Sequence, residues 1–135
     1  MLEVLPIQTK IEQEAICARC GILYDADCMA YHALIDGELC GICQFYMNGD
    51  GGHIRSLALV KDRVVSERNH VESLFVMGRA ALNFIDLCGV HIAYFEDRGF
   101  AEESMIKSIG FSKDNKGRWA MNLEGFFTEP CKCGK

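Results

Sequence analysis

Two features of this sequence have residue types and spacings that could do chemistry. The first is a pair of cysteine motifs. Cys17-Ala-Arg-Cys20-Gly21 and Cys131-Lys-Cys133-Gly134 each set two thiols a short reach apart. Together they would supply the four sulfur ligands of a tetrahedral zinc site. Reduced, partly buried thiols are the competing reading, because Cys17 and Cys20 fall on one face of a helix and act there as small hydrophobes. The second feature is the stretch from Gly51 to Leu87, which reads GGHIRSLALV, then KDRVVSERN, then HVESLFVMGRAALNFIDL. A short apolar strand that runs through a polar loop into a long helix aims free backbone N–H groups and the helix dipole at the loop. That arrangement suits an anion such as phosphate.

The elements that must position these residues follow from pattern. Leu2 to Gln8 reads as a first strand, with Pro6 favouring a sheet edge. Thr9, with Glu12 three residues on, has capping-box spacing for a helix reaching about Cys20 and stopped by Gly21. Met29 to Asp36 and Glu38 to Met47 form a hairpin about Asp36-Gly37. His53 to Val60 is the next strand. The long helix carries Val71, Leu74, Phe75, Gly78, Ala81, Leu82, Ile85 and Cys88 on one stripe, with Asn69 as its expected N-cap and Glu72 reaching back. His91 to Glu96 is a strand, Ala101 to Ile109 a helix, Ser112 to Gly117 a turn, and Trp119 to Phe127 a final strand. The order β-α-β-β-β-α-β-α-β predicts an α+β fold with a mixed, mostly antiparallel sheet of six to seven strands flanked by helices. Residues 1–127 form a single domain and residues 128–135 a cysteine-containing tail.

The remaining cysteines have simpler expectations. Cys40 and Cys43 lie an odd offset apart on a strand and should face opposite ways. Cys88 reads as core, and Cys28, beside Asp27, as the free thiol best placed to react. A cysteine–histidine nucleophile is unsupported, since no histidine is singled out.

Composition narrows the partners. With 135 residues, half of them hydrophobic and only two prolines, the chain can bury a core without staples. A net charge of -5 argues against nucleic-acid or anionic-membrane binding. No apolar run is long enough to span a bilayer, and no basic-then-apolar leader opens the chain. A cytoplasmic protein is therefore expected, and there eight cysteines are better read as thiols or metal ligands than as disulfides.

The element order, the SLALV strand before the long helix, the hairpin strand ELCGICQFY with its inner Gly41, and the helix end Ile109-Gly110-Phe111 resemble the GNAT superfamily of acyl-CoA N-acyltransferases. The likeness runs from Leu2 to about Phe127. It implies that Leu57, Ala58, Leu59 and Val60 offer backbone groups to the pantetheine arm of acetyl-CoA. It also implies that the helix entrance, at Arg68, Asn69, His70 and Val71, holds the pyrophosphate. By position, His53 and Glu96 are candidate bases for the attacking amine, and Tyr94 is a candidate acid. The sequence departs from the family pattern in two places. No glycine lies between Lys61 and Val76, where the family has a glycine-rich loop, and Ile106 stands where members carry a thiolate-protonating tyrosine.

The expected function is transfer of an acetyl group from acetyl-CoA to an amine of a small molecule or peptide. The alternative is a catalytically inactive module of the same shape, with a cysteine-bound zinc or a thiol-sensing role, and a stable homodimer would favour an inactive module. Ile11 to Asp27, where acceptor specificity would reside, shows no motif. The acidic balance mildly favours a cationic or amine acceptor.

Overall fold

The computed structural model describes residues 1–127. It contains β1 (Leu2–Pro6), α1 (Lys10–Cys20), β2 (Met29–Ile35), β3 (Glu38–Asn48), β4 (Gly51–Leu59), α2 (Glu67–Leu87), β5 (Ile92–Phe95), α3 (Glu103–Ile109), β6 (Ser112–Lys113) and β7 (Trp119–Asn122). The strands form one seven-stranded sheet in the order β1-β2-β3-β4-β5-β7-β6. All neighbours are antiparallel except β4 and β5. The expected α+β architecture is therefore present, and β1 with its Pro6 lies at a sheet edge.

Local chemistry explains most boundaries. Thr9 Oγ1 accepts from Glu12 N at 3.1 Å and starts α1, and Gly21, at φ 70°, ends it. Asp36 and Gly37 both take positive φ, 51° and 84°, the combination a two-residue hairpin turn requires. The long helix begins earlier than its apolar stripe suggests. Ser66, not Asn69, is the N-cap, and its Oγ accepts from Asn69 N at 3.3 Å. Starting there also puts the Glu67 carboxylate in the first turn, against the positive end of the helix dipole. The segment read as a turn after α3 contains the short strand β6. The final strand stops at Asn122 because Asn122 Oδ1 accepts from Glu124 N at 2.9 Å and turns the chain.

Strand alternation sends successive residues to two different cores. Leu57, Cys43 and Phe45 join Leu74, Met77, Leu82, Ile106 and Ile109 beneath α2 and α3. Ile42, Ala58 and Val60 join Ile16, Cys17 and Cys20 beneath α1. The helices thus cover both faces of the sheet. A Cβ on Gly78 would lie 2.8 Å from Ile109 Cδ1, so glycine there allows α2 and α3 to approach closely. Cys40 and Cys43 do not fall on separate faces as their spacing suggests. The register slips between Ala33 and Leu34, leaving Cys40 unpaired, and both thiols enter the α2-side core.

A second slip sets up the site. It lies between Gln44 and Phe45 and leaves Arg55 unpaired as a bulge in β4. Beside it, β4 and β5 pair only from Gly52, His53 and Ile54 to Ala93, Tyr94 and Phe95. After a last bond from Glu96 N to the Ile54 carbonyl at 2.9 Å the strands part. The second half of β4 then has no strand neighbour on that side.

Candidate functional site

Three hollows lie along this parting, and Phe100 borders all of them. The innermost, about 350 Å³, is walled by Leu23, Tyr24, Asp25, Arg55, Ser56 and Arg98. The next, also about 350 Å³, runs along Ala58, Leu59 and Val60 to Lys61, His70 and Leu74. The outermost, about 590 Å³, lies between the start of α2 and α3, with Glu67, His70, Val71, Glu102 and Ser108 on its walls.

Charged groups concentrate at the inner end. Asp25 pairs with Arg55. Arg55 Nε lies 3.1 Å from Glu96 Oε1, but off the axis of its N–H bond, so this contact is charge pairing rather than a hydrogen bond. Arg98 Nη2 donates to the same oxygen at 3.0 Å, and Tyr46 Oη donates to Glu96 Oε2 at 2.5 Å. Burial pushes the Glu96 carboxyl up. The donors Tyr46 and Arg98 and the charge of Arg55 outweigh that and hold it below the usual carboxylate range. Glu96 is therefore ionised at neutral pH.

His53 lies beside it, with Nδ1 3.9 Å from Glu96 Oε2 and Nε2 3.1 Å from Asn48 Oδ1. Its ring stacks on Tyr46 at 4.7 Å and lies 5.4 Å from Tyr94. Arg55 caps the outer face of Tyr46 at 4.8 Å, and Arg118 that of Tyr94 at 4.5 Å. Burial lowers the His53 pKa, and Glu96 and Asp50 only partly oppose this. His53 is consequently neutral at neutral pH. The fold thus brings His53, Tyr94 and Glu96 into one cluster.

A buried amide network fixes the loop that walls the inner hollow. Gln44 Oε1 accepts from Gln13 Nε2 at 2.9 Å and from Asp25 N at 3.1 Å. Gln44 Nε2 donates to the Leu23 carbonyl and to Ser56 Oγ, both at 3.0 Å. None of Asp25, Gln44, Tyr46, Arg55 and Arg98 stood out in the sequence. A polar glutamine inside the apolar run LCGICQFY was the one available sign.

The helix entrance divides the residues expected there. His70 and Val71 face the cleft, whereas Asn69 lines a separate hollow toward the β2–β3 hairpin with Arg63 and Glu38. Arg68 is exposed and borders none of these hollows. Ala58 and Leu59 at the end of β4, and Val60 just beyond it, line the cleft, while Leu57 is fully buried in the α2-side core. Arg63 ties the connecting loop down by donating to the Leu39 carbonyl at 3.2 Å. Ile106 is buried core.

The cysteines among the described residues do not assemble a metal centre. Among the described residues, no group of three or more His, Cys, Asp and Glu side chains could hold a metal ion. Cys131 and Cys133 lie outside the described residues. Burial pushes the Cys17 thiol up to about 11, helped by Glu14, and the Cys20 thiol up to about 12, helped by Cys17. Both sit in the α1-side core. Cys28 is not the reactive thiol its loop position suggests. It is buried, and burial together with Asp25 pushes it up to about 12. Cys88, expected in the core, is exposed at the helix C-cap.

No protein-family model matches the sequence, and no curated protein matches it. Solved structures do match its shape. The ribosomal-protein-S18-alanine N-acetyltransferase of Escherichia coli superposes with a TM-score of 0.64 at 11% identity, over 91% of this chain and 94% of that one. The PaiA N-acetyltransferase of Thermoplasma acidophilum, in complex with coenzyme A, gives 0.63 at 11% identity, over 90% and 99%. The IAA acetyltransferase of Bacillus cereus gives 0.65 at 12% identity, over 91% and 100%. The chain has the GNAT fold. Identities this low establish the GNAT fold and no more. Among the described residues, no helix is long and apolar enough to cross a membrane.

Proposed function

We propose that this protein is a GNAT-type N-acetyltransferase that moves an acetyl group from acetyl-CoA to an amine of a small molecule or peptide. The observation that carries the reading is the parting of β4 from β5, which leaves the edge from Ala58 through Val60, at and just beyond the end of β4, open beside an apolar wall of Leu74 and Phe100. That edge fits an extended pantetheine arm, whose amides need backbone partners. At the outer end, the side chains of Lys61 and His70 suit a pyrophosphate, while Glu67 repels it and Ser66 already occupies the Asn69 amide. The fit is closer along the arm than at the phosphates.

Acetyl-CoA, when bound, supplies an activated thioester for direct attack by an amine. The protein's own part is to receive the amine's proton. Glu96 stands ionised where the strands part, and neutral His53 lies behind it at 3.9 Å. A proton taken at Glu96 leaves a carboxylic acid beside neutral His53, and one passed on or carried by water to His53 leaves an imidazolium–carboxylate pair that stabilises itself. Tyr46 and Tyr94 clamp the His53 ring between them, so Tyr94 serves here as a positioning residue.

The test measures thiol release from acetyl-CoA over a panel of amines, together with the melting temperature. Acetyl-CoA should raise the melting temperature, because it binds the folded state alone. Glu96→Gln should cut turnover by about a hundredfold while leaving that thermal shift in place. The competing reading, a non-catalytic module, draws on the missing glycine loop and on buried Ile106 where the family places a tyrosine. Neither a thermal shift with acetyl-CoA nor thiol release with any amine would decide for it.

A further inference from the structure

The overall charge of the chain favours a cationic acceptor, but the inner hollow does not. Two of its wall residues are arginines, Arg55 and Arg98, against one carboxylate, Asp25. Arg55 is engaged by Asp25 and Glu96 from two sides and lies over Tyr46. Arg98 is different. Its side chain is 44% exposed, and among the described residues its one hydrogen bond runs from Nη2 to Glu96, which leaves its other guanidinium N–H groups free of them. It lines the hollow from the segment that leads from Glu96 to Phe100. Asp25 on the wall is less exposed than Arg98 and offers an ammonium group negative charge. The more exposed Arg98, the Asp25 carboxylate and the aromatic rings of Tyr24 and Phe100 on the walls make a site with two poles.

We infer that the acceptor is an amine that also carries a carboxylate, an α-amino acid or a compound built like one. Its ammonium group is directed toward Asp25, and its carboxylate is held by Arg98. A guanidinium binds a carboxylate through two parallel N–H donors, which gives such a site both affinity and orientation. About 350 Å³ admits a compound of this size. Arg98 acts as a specificity residue and takes no part in bond making. The inference rests on the acetyltransferase reading for the word acceptor, but not for the binding itself.

The test therefore reads binding without coenzyme. The full-length protein, 15N-labelled, is titrated by NMR with L-leucine and with 3-methylbutylamine, which differ only by the carboxylate, and with O-phosphoethanolamine. Leucine should move the amide signals of Asp25, Arg55, Ser56 and Arg98 and bind about tenfold more tightly than 3-methylbutylamine, the worth of one charge-assisted contact. Arg98→Gln should bring the two ligands within about twofold of each other, and Arg98→Lys, which keeps a cation, should retain a preference for leucine. Equal binding of the two ligands to the wild-type protein would overturn the inference. So would a preference unchanged in Arg98→Gln, or Arg98-dependent binding of O-phosphoethanolamine in place of leucine. Amino-acid binding without any effect of acetyl-CoA would sink the transferase reading and leave this one standing. Acetyl transfer to plain amines alone would do the reverse.

Discussion

Replacing Gln44 by leucine tests whether buried amides, rather than apolar packing, hold the loop that walls the inner hollow. Leucine nearly matches glutamine in volume, so the change removes hydrogen bonds without opening a cavity. Gln44 is fully buried and makes four of them, to Gln13, Leu23, Asp25 and Ser56. Gln13 keeps two longer contacts, to the Asp25 and Cys28 carbonyls at 3.3 Å each. The Leu23 carbonyl and the Asp25 N–H lose the only partners they have among the described residues. Each orphaned buried group costs about 1–3 kcal/mol, and water entering a loop that is partly exposed places the sum near about 3 kcal/mol. That is a large share of the roughly 5–15 kcal/mol that holds a domain together. With a urea slope of about 2 kcal/mol per molar, the unfolding midpoint should fall by about 1.5 M. Hydrogen exchange should accelerate at Leu23 to Cys28 well before it does in α2. A midpoint shift below about 0.3 M, with loop exchange unchanged, would show that apolar contacts alone fix the loop.

Two further outcomes follow from burial. In native protein at mildly alkaline pH, iodoacetamide should label Cys88 quickly and leave Cys17, Cys20, Cys28, Cys40 and Cys43 protected, as read by peptide mass spectrometry; rapid labelling of Cys28 would contradict its burial. Burial holds the folded pKa of both His53 and His32 below the ordinary 6.5. As pH falls through that value the unfolded chain takes up protons first, so stability should decline below pH 6.5 and level off once the folded groups titrate. Urea midpoints across that range check the slope, and the His32→Gln/His53→Gln double variant should flatten it. A His53 ring signal titrating above 6.5 by NMR would refute the assignment.

The local elements were legible in the chain because their signals are short-ranged. Thr9 needed only Glu12 to cap a helix, Asp36-Gly37 only its own torsions to make a turn, and α2 only its apolar stripe to find the sheet. Where two neighbouring signals competed, the reading slipped, as at Ser66 and Asn69, because both residues can cap a helix. The charged site could not be read this way. Asp25, Tyr46, Arg55 and Glu96 come from four separate segments, and their meeting depends on one bulged residue in β4 and on where β5 stops pairing. Strand register and strand divergence depend on packing summed over the whole sheet, and no window of sequence contains that sum. The sequence alone determined the α+β architecture and the likeness to acyl-CoA transferases. Tertiary structure alone decided which charges share a hollow, because a single slip in register exchanges the faces on which side chains meet.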